Sequence, residues 1–231
     1  MNKDITALIL SGGQGTRIRH LLNGLPKPMY PVFDKPFIEY QINYLQSFGI
    51  KKFVISTGYR SDAFKEYFGA QHTIVEESEP LGTGGAVLFA LDAIETEKFI
   101  CLNGDTLFLL NFQEFLDDAC ARPYSSIALK VIEDSSRYGS AWIDNQTSRI
   151  TRFSEKNTDS SGLINAGIYL LNKSQLQKHN FERICSIEKD IFPELVKDGL
   201  YGFKTEAEFI DIGTPETLNI VEDFILRNGL K

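Results

Sequence analysis

Cysteine and histidine are scarce in this 231-residue chain, which has three of each. Cys101, Cys120 and Cys185 form no close pair, and no group of histidines accompanies them. Neither a disulfide framework nor a zinc site is therefore expected, and the thiols should be reduced in the cytosol. The histidines are scattered, and no serine or cysteine shows the pattern of a nucleophile, which disfavours a hydrolase.

An excess of positive charge and long apolar runs are also lacking. The formal net charge of −7 argues against nucleic acid and anionic membranes as main partners, so any basic site must be local. The aromatic residues fall at the spacing of a helix core and give no stacking platform for nucleic acid. The first apolar run, ITALIL, is too short for a signal peptide or a membrane span. We expect a cytoplasmic protein that binds neither nucleic acid nor membrane; a homodimer is left open.

Short β-branched runs alternate with helical patterns in the first half of the chain. The strands are ITALIL, KKFVIST, HTIVEE and KFICLNG, and the helices between them are PFIEYQINYLQSFG, SDAFKEYFG and TGGAVLFALDAIE. The second half adds SSIALKVIED, GSAWID, RITRFSE and LINAGIYLL as strands before a last helix in TPETLNIVEDFILRNG. This alternation predicts a single α/β domain over residues 1–231. Its Rossmann-like (GT-A-like) sheet should be mixed, mostly parallel and covered by helices on both faces.

A glycine-rich loop follows the first strand directly. That strand ends at Leu10, and Gly12, Gly13 and Gly15 come next, where backbone N–H groups can converge on an anion. The loop has neither the Lys-Ser/Thr ending of a P-loop nor the third glycine of a dinucleotide fingerprint, whose place is taken by Ile18. The glycines alone fit a turn without a ligand equally well.

Two cations near the loop favour an anionic ligand. Arg17 follows the last glycine closely, and Lys27 stands between Pro26 and Pro28, which are expected to hold the backbone extended and rigid. Holding a cation rigidly costs stability unless it interacts with an anion. The combination GGxGTR with PKP is therefore more specific than either part.

The pattern L-x-x-G-x-G-T-R followed by P-K-P resembles the signature of the sugar-1-phosphate nucleotidylyltransferases, which join a nucleoside triphosphate to a sugar 1-phosphate. The resemblance continues through EPLGTGGA (79–86), NGDT (103–106), YG (138–139), SEK (154–156), NAGIY (165–169) and FIDIGTPE (209–216). His20 occupies the place where most of the family has proline. That variant is similar to the bacterial branch that transfers GMP to D-glycero-D-manno-heptose 1-phosphate for surface polysaccharide.

The resemblance implies a role for each matching residue. It assigns catalysis to Arg17 and Lys27, and a Mg²⁺ site to Asp105 and Asp211. It assigns nucleotide binding to Leu10, Ser11, Gly12, Gly13, Gly15, Thr16, Gly82, Thr83 and Gly104, and sugar-phosphate binding to Gly139, Glu155, Lys156 and Asn165. Without it, Asp105 could be a turn residue, Asp211 a helix cap, and Glu155 with Lys156 an exposed pair.

Two acids stand where the family reads the edge of the base. Guanine presents two adjacent donors, which a carboxylate accepts and an amide cannot, so Glu77 and Glu79 favour GTP over UTP or dTTP. GTP and a sugar 1-phosphate are thus the expected partners. The choice of heptose over mannose rests on the resemblance alone. The rivals are a mannose-1-phosphate guanylyltransferase, a uridylyl- or thymidylyltransferase, a glycosyltransferase of similar fold, and a regulatory subunit that binds a GDP-sugar.

Overall fold

The computed structural model describes residues 5–13, 15–131, 140–154 and 162–231. The strands in these ranges are β1 (Thr6–Ser11), β2 (Pro31–Val32), β3 (Lys35–Pro36), β4 (Lys52–Thr57), β5 (Thr73–Glu76), β6 (Lys98–Asn103), β7 (Thr106–Phe108), β8 (Ser126–Val131), β9 (Ser140–Ile143), β10 (Ile150–Ser154), β11 (Leu163–Asn172), β12 (Tyr201–Thr205) and β13 (Phe209–Asp211). The α-helices are α1 (Phe37–Ser47), α2 (Ser61–Phe68), α3 (Gly82–Ala90), α4 (Phe112–Ala121), α5 (Lys173–Gln177), α6 (Phe192–Asp198) and α7 (Pro215–Arg227).

Short helical turns join several of these elements. Three are 3₁₀ turns, at Arg19–Leu21, Lys27–Met29 and Leu91–Ala93, and a π-helical turn spans Ile187–Ile191. No helix in the described part of the chain is both long and apolar enough to cross a membrane.

Nine strands form the central sheet. Its path is β10-β9-β11-β6-β1-β4-β5, while β8 pairs with β11 and β12 pairs with β8. The block β6-β1-β4-β5 is parallel, as the strand–helix alternation predicts, and β11 runs antiparallel to β6 and to β8. The predicted Rossmann-like α/β fold, mixed and mostly parallel, is confirmed. That residues 1–231 form one domain stays a prediction.

Alternation along the central strands supplies apolar side chains to both faces of the sheet. Ala7 and Ile9 of β1 join a core with α1, α2 and α4, whereas Leu8 joins a second core with α3 and α6. A third apolar cluster packs α7 against α1 and the glycine-loop segment through Leu218, Val221 and Ile18. Since the helices cover both faces, loops at the strand ends are left to form a site.

The parallel strands end together at one edge of the sheet. In the register of the central pairs, Ser11 at the end of β1 lies beside Thr57 of β4, and Leu10 lies beside Asn103 of β6. The glycine loop, the loop after β4 and the NGDT turn therefore leave the same edge. Ligands of open α/β sheets bind beyond this edge.

Candidate active site

A cavity of about 660 Å³ opens at the carboxyl ends of β1, β4 and β6. Twelve of the residues that the sequence assigns to the site line it: Leu10, Ser11, Gly12, Gly13, Gly15, Thr16, Lys27, Glu77, Glu79, Gly82, Thr83 and Asp105. They come from segments up to 95 residues apart, the spacing from Leu10 to Asp105. The fold therefore brings together most of what the sequence motifs assign to one site.

The glycine loop is packed where the structure needs glycine. A Cβ on Gly12 would lie 2.8 Å from Oε1 of Glu77, and Gly15 adopts a φ of +58°, which favours glycine. The same missing side chain at Gly15 leaves room for the stem of Lys27, whose Cε would be 3.6 Å from a Cβ there. A Cβ on Gly13, by contrast, would meet nothing within 4 Å. The loop thus rests on Glu77 and Lys27 and leaves Gly13 open to the cavity.

One hydroxyl at the start of the loop is unsatisfied. Ser11 is buried, and its Oγ has no hydrogen-bond partner in the described residues. Gly104 packs against it, since a Cβ on Gly104 would lie 2.6 Å from that Oγ, and the Gly104 amide donates to the Leu10 carbonyl at 2.9 Å. Gly104 does not line the cavity, but it lets the NGDT turn approach β1 closely.

Lys27 and Asp105 meet across the cavity floor. The Lys27 ammonium lies 2.6 Å from Oδ2 of Asp105, and the Lys27 side chain is only 12% exposed. The expectation of an extended backbone at Lys27 is wrong, because residues 27–29 form a 3₁₀ turn that starts after an extended Pro26. The proline at the second position of this turn fits, because a proline lacks an N–H that the turn would leave unpaired.

Asp211 ends β13, and Asp105 lies in the turn directly before β7, the strand that pairs with β13. In the β7–β13 ladder Asp211 lies opposite Thr106, and the Ile212 amide donates to the Asp105 carbonyl at 2.9 Å. Oδ1 of Asp211 accepts from the Gly213 amide at 3.0 Å. Helix α7 is capped by Thr214 in a reciprocal capping box with Thr217, so Asp211 is not its cap. The ladder therefore places the backbone of Asp211 beside the turn that carries Asp105, while Asp211 itself lies outside the cavity lining.

Arg17 lies on the Asp211 side of the site. Its Nη2 is 3.4 Å from the position that a Cβ would take on Gly213, and its side chain is exposed outside the cavity lining. A cation here is close to Asp211, one of the two predicted metal ligands. Its catalytic role stays a prediction.

Glu77 is a buried acid with two donors already in place. It is 9% exposed; Oε1 accepts from the Ser56 hydroxyl at 3.0 Å, and Oε2 accepts from the Leu81 amide at 3.2 Å. Glu79 is exposed and pairs with Arg183 at 2.7 Å. Both line the cavity, but only Glu77 ties the glycine loop, β4 and the start of α3 together.

The start of α3 is locked to the segment before α6. Gly82 has a φ of +75°, and a Cβ on it would lie 2.5 Å from the Cys185 carbonyl, so only glycine fits. The Thr83 hydroxyl accepts from the Ile187 amide at 2.9 Å and donates to Oε2 of Glu188 at 3.0 Å. Glycine and threonine of the GTGG motif therefore shape the cavity wall.

The predicted sugar-phosphate residues are only partly described. Gly139, Glu155 and Lys156 lie outside the described residues. Asn165 is in β11 outside the cavity lining; its Nδ2 donates to the Tyr169 hydroxyl and its Oδ1 accepts from the Gly167 amide, each at 2.9 Å. Its contact with a sugar stays a prediction.

Several lining residues were not predicted from the sequence. Gly58 and Tyr59 follow β4, and the Arg19 guanidinium lies 5.4 Å from the centre of the Tyr59 ring. The rule that sites lie beyond strand ends, applied to KKFVIST, would have found them. Cys101 in β6 is fully buried, and burial raises the pKa of its thiol, which agrees with the expectation that no cysteine is a nucleophile.

Comparisons with known proteins agree with this geometry. The model of the Nucleotidyl transferase family matches residues 6–228. The chain is 37% identical over 217 residues to D-glycero-alpha-D-manno-heptose 1-phosphate guanylyltransferase of Aneurinibacillus thermoaerophilus, covering 91% of this chain and 94% of that protein. It is 38% identical over 221 residues to the protein of the same name from Campylobacter jejuni subsp. jejuni serotype O:2, covering 91% and 95%.

A solved structure shows the same fold. The crystal structure of HddC from Yersinia pseudotuberculosis complexed with GMP-PN superimposes with a TM-score of 0.83 at 32% identity, over 96% of this chain and 99% of that one. With a family model that spans nearly the whole sequence, and relatives similar over more than nine-tenths of both chains, the chain belongs to the nucleotidyl transferase family.

Proposed function

We propose that the chain transfers GMP from GTP to a sugar 1-phosphate, D-glycero-α-D-manno-heptose 1-phosphate, and releases pyrophosphate. In this reaction an oxygen of the sugar phosphate bonds to the α-phosphorus of GTP. The bond from that phosphorus to the bridging oxygen breaks, and its electron pair leaves with pyrophosphate. Family membership and the named activity of the two relatives support this class of reaction.

The observation that carries the proposal is the approach of Lys27 to both the glycine loop and Asp105. The stem of Lys27 packs on Gly15, and its ammonium reaches Asp105 at 2.6 Å. A cation, a carboxylate and a loop of backbone amides thus face one cavity. Such a group suits a triphosphate, since the amides and the ammonium attract the phosphate oxygens that the carboxylate alone would repel.

The chain's own residues bring two anions together. The attacking phosphate carries about −1.5 to −2 charge at pH 7, so no general base is required. Lys27 would stabilise negative charge that develops on the transferred phosphate and on pyrophosphate, and Arg17 would act from the Asp211 side. The 12% exposure of Lys27 strengthens this effect, because little water screens its charge.

The residues fit a hard divalent cation, and we assign it as Mg²⁺. The Asp105 side chain is 30% exposed at the cavity, and Asp211 lies opposite Thr106, the residue after Asp105. Within the described ranges no group of three or more acids, histidines or cysteines could hold a metal, so a bound cation would rely on one or two carboxylates with waters and phosphates. That ligand set is typical of Mg²⁺. A bound Mg²⁺ would neutralise phosphate charge and orient the α-phosphate.

The choice of guanine rests on Glu77. Each Glu77 oxygen accepts one hydrogen bond within the protein and retains a lone pair, so the carboxylate can also accept from the two donors of guanine. The sugar-phosphate roles of Gly139, Glu155, Lys156 and Asn165, the heptose itself and a cytoplasmic location are proposed on the resemblance and the relatives.

The test measures pyrophosphate release with Mg²⁺, crossing GTP, ATP, UTP and dTTP with manno-heptose, mannose and glucose 1-phosphates. Turnover confined to GTP with the heptose is the expected result. Turnover with GTP and mannose would move the chain to the rival guanylyltransferase activity. Release with UTP or dTTP would overturn the role of Glu77, and GTP binding by calorimetry without any release would identify a binding subunit.

A further inference from the structure

Gln41 of α1 reaches the turn that carries Asp105. Its side chain is 2% exposed, and its Nε2 donates to the carbonyl of Asn103 at 2.9 Å and to the carbonyl of Thr106. The first of these lies two residues before Asp105 and the second lies one residue after it. One amide group therefore joins the two ends of the turn, from a helix 62 residues earlier in the sequence.

The two carbonyls fix the orientation of the Gln41 amide. An amide nitrogen supplies two N–H donors, which match two carbonyl acceptors, whereas the reverse orientation would place Oε1 against two other oxygens. Oε1 is buried and has no hydrogen-bond partner in the described residues. A buried amide oxygen without a partner is unfavourable. The two hydrogen bonds of Nε2 to the Asp105 turn offset the cost of this unpaired oxygen.

The rest of the turn is held from the other side. The Gly104 amide donates to Leu10 of β1, and the Asp105 carbonyl accepts from Ile212 after β13. Gln41 supplies the third support. Strands β6 and β7 do not pair with each other, and the carbonyls of Asn103 and Thr106 both accept from the Gln41 side chain. The Asp105 carboxylate is then free to meet Lys27 and the cavity.

We infer that Gln41 is a positioning residue for the metal-binding carboxylate of Asp105. It sets the separation between the two ends of the turn and so the place at which the carboxylate meets a divalent cation and the triphosphate. This inference rests on the proposed function, since it requires Asp105 to hold a metal. Partners behind a metal ligand typically change metal affinity or activity by about 10–100-fold when removed.

The chain contains a matched control in Gln175 of α5. Gln175 is 1% exposed and also joins two backbone groups, accepting from the Ser125 amide at 2.9 Å and donating to the Gly199 carbonyl at 2.8 Å. Gln175 does not line the cavity, and these two hydrogen bonds do not involve the Asp105 turn. Gln41→Met and Gln175→Met each delete one buried side-chain amide. Both should lower stability, but only Gln41→Met should change the position of the metal-binding carboxylate.

The experiment compares the wild type, Gln41→Met, Gln41→Glu and Gln175→Met. Thermal unfolding is measured first, and GTP binding is then measured by calorimetry with Mg²⁺ and with EDTA. Pyrophosphate release gives the Mg²⁺ concentration for half-maximal rate. For Gln41→Met we expect that concentration to rise about tenfold, with a smaller gain in GTP affinity from Mg²⁺. Gln175→Met should keep both wild-type values although its unfolding temperature falls.

Equal Mg²⁺ dependence in Gln41→Met and Gln175→Met would overturn the inference and leave the proposed function intact. Gln41→Glu keeps the size of the side chain and, once protonated, one donor, so its Mg²⁺ dependence should lie between those of the wild type and Gln41→Met. Failure of both Gln41 variants to fold while Gln175→Met folds would assign Gln41 to folding instead. A wild type that releases no pyrophosphate and whose GTP affinity ignores Mg²⁺ would contradict the proposed function itself.

Discussion

The ammonium of Lys27 and the carboxylate of Asp105 lie 2.6 Å apart, although 78 residues separate them in the sequence. Both side chains are mostly withdrawn from water, with 12% and 30% of their surfaces exposed. The pair joins the segment after the glycine loop to the end of β6. A cation already beside a carboxylate is positioned before any ligand arrives, which reduces the reorganisation that charge stabilisation would otherwise need.

Replacing Lys27 should slow catalysis strongly with little effect on folding. Lys27→Met keeps most of the stem that packs on Gly15 but deletes the charge. We expect the kcat for pyrophosphate release to fall by about 10²–10³-fold, the typical effect of removing one group that stabilises developing charge. Asp105 can regain water on its exposed surface, so the unfolding temperature should change little.

Lys197→Met is the control for Lys27→Met. Lys197 forms a 2.7 Å ion pair with Glu194 on the surface, with 67% of its side chain exposed. Exposed pairs of this kind contribute about 0–1 kcal/mol. The kcat of Lys197→Met should therefore equal that of the wild type. Comparable kcat values for the two variants would contradict a catalytic role for Lys27.

Glu77→Gln should weaken both the selection of GTP and the fold. An amide has one acceptor oxygen, so either the Ser56 hydroxyl or the Leu81 amide would face an NH₂ group. Leaving a buried donor unpaired destabilises by about 1–3 kcal/mol. Denaturant unfolding measures that loss, and the ratio of kcat/KM for GTP over UTP measures the selection.

Glu79→Gln separates the two effects at Glu77. Glu79 lines the same cavity but lies on the surface, where it pairs with Arg183. Its replacement should leave the unfolding free energy within about 1 kcal/mol of the wild type and keep the preference for GTP. A loss of GTP preference in Glu79→Gln alone would transfer base recognition from Glu77 to Glu79.

Alanine at Gly13 and at Gly12 should act on different properties. A Cβ on Gly13 meets nothing within 4 Å, so Gly13→Ala should fold normally and raise the KM for GTP, because the methyl group would occupy the cradle. A Cβ on Gly12 lies 2.8 Å from a Glu77 oxygen that Ser56 holds in place, and we expect Gly12→Ala to lose about 1–3 kcal/mol of stability. Thermal unfolding and KM distinguish them; an unchanged KM in Gly13→Ala would exclude a phosphate cradle there.

Local sequence patterns were enough to predict the parallel block and to indicate that the motif residues meet at one edge of it. The glycine loop and the NGDT turn each follow a short β-branched run, and parallel strands end at a common edge. Any chain with β1 beside β6 must then bring the glycine loop close to Asp105. The antiparallel insertion of β11 between β6 and β8 could not be predicted, because strand direction depends on connections that apolar alternation does not encode.

Side-chain roles that depend on distant partners were beyond sequence reasoning. Gln41 falls within the amphipathic pattern of α1, where nothing marks it as different from an exposed polar residue, yet it is buried and bonded to the Asp105 turn. Glu77 stands in an acidic loop, EESE, whose composition suggests solvent. Only the close approach of Gly12 and Ser56 shows that this acid lies inside.

His72 should make the fold less stable in mild acid. Its ring packs against Phe53 and Phe68, with ring centroids 5.2 and 5.1 Å away. Burial lowers the pKa of His72 from its ordinary value of 6.5. The unfolded chain therefore takes up a proton first as the pH falls, so the unfolding free energy should decrease below about pH 6.5.

Comparing His72→Phe with the wild type isolates the contribution of the imidazole to the pH dependence of the unfolding free energy. The phenylalanine keeps the ring contacts without a titrating group, so its stability relative to the wild type should rise as the pH is lowered from about 7.5 to about 5.5. The slope cannot exceed about 1.4 kcal/mol per pH unit, because a single imidazole takes up at most one proton. Gln71→Met, an exposed neighbour that does not titrate, should follow the wild type at every pH. Parallel pH profiles for His72→Phe and the wild type would show that the imidazole titrates alike in the folded and unfolded chains.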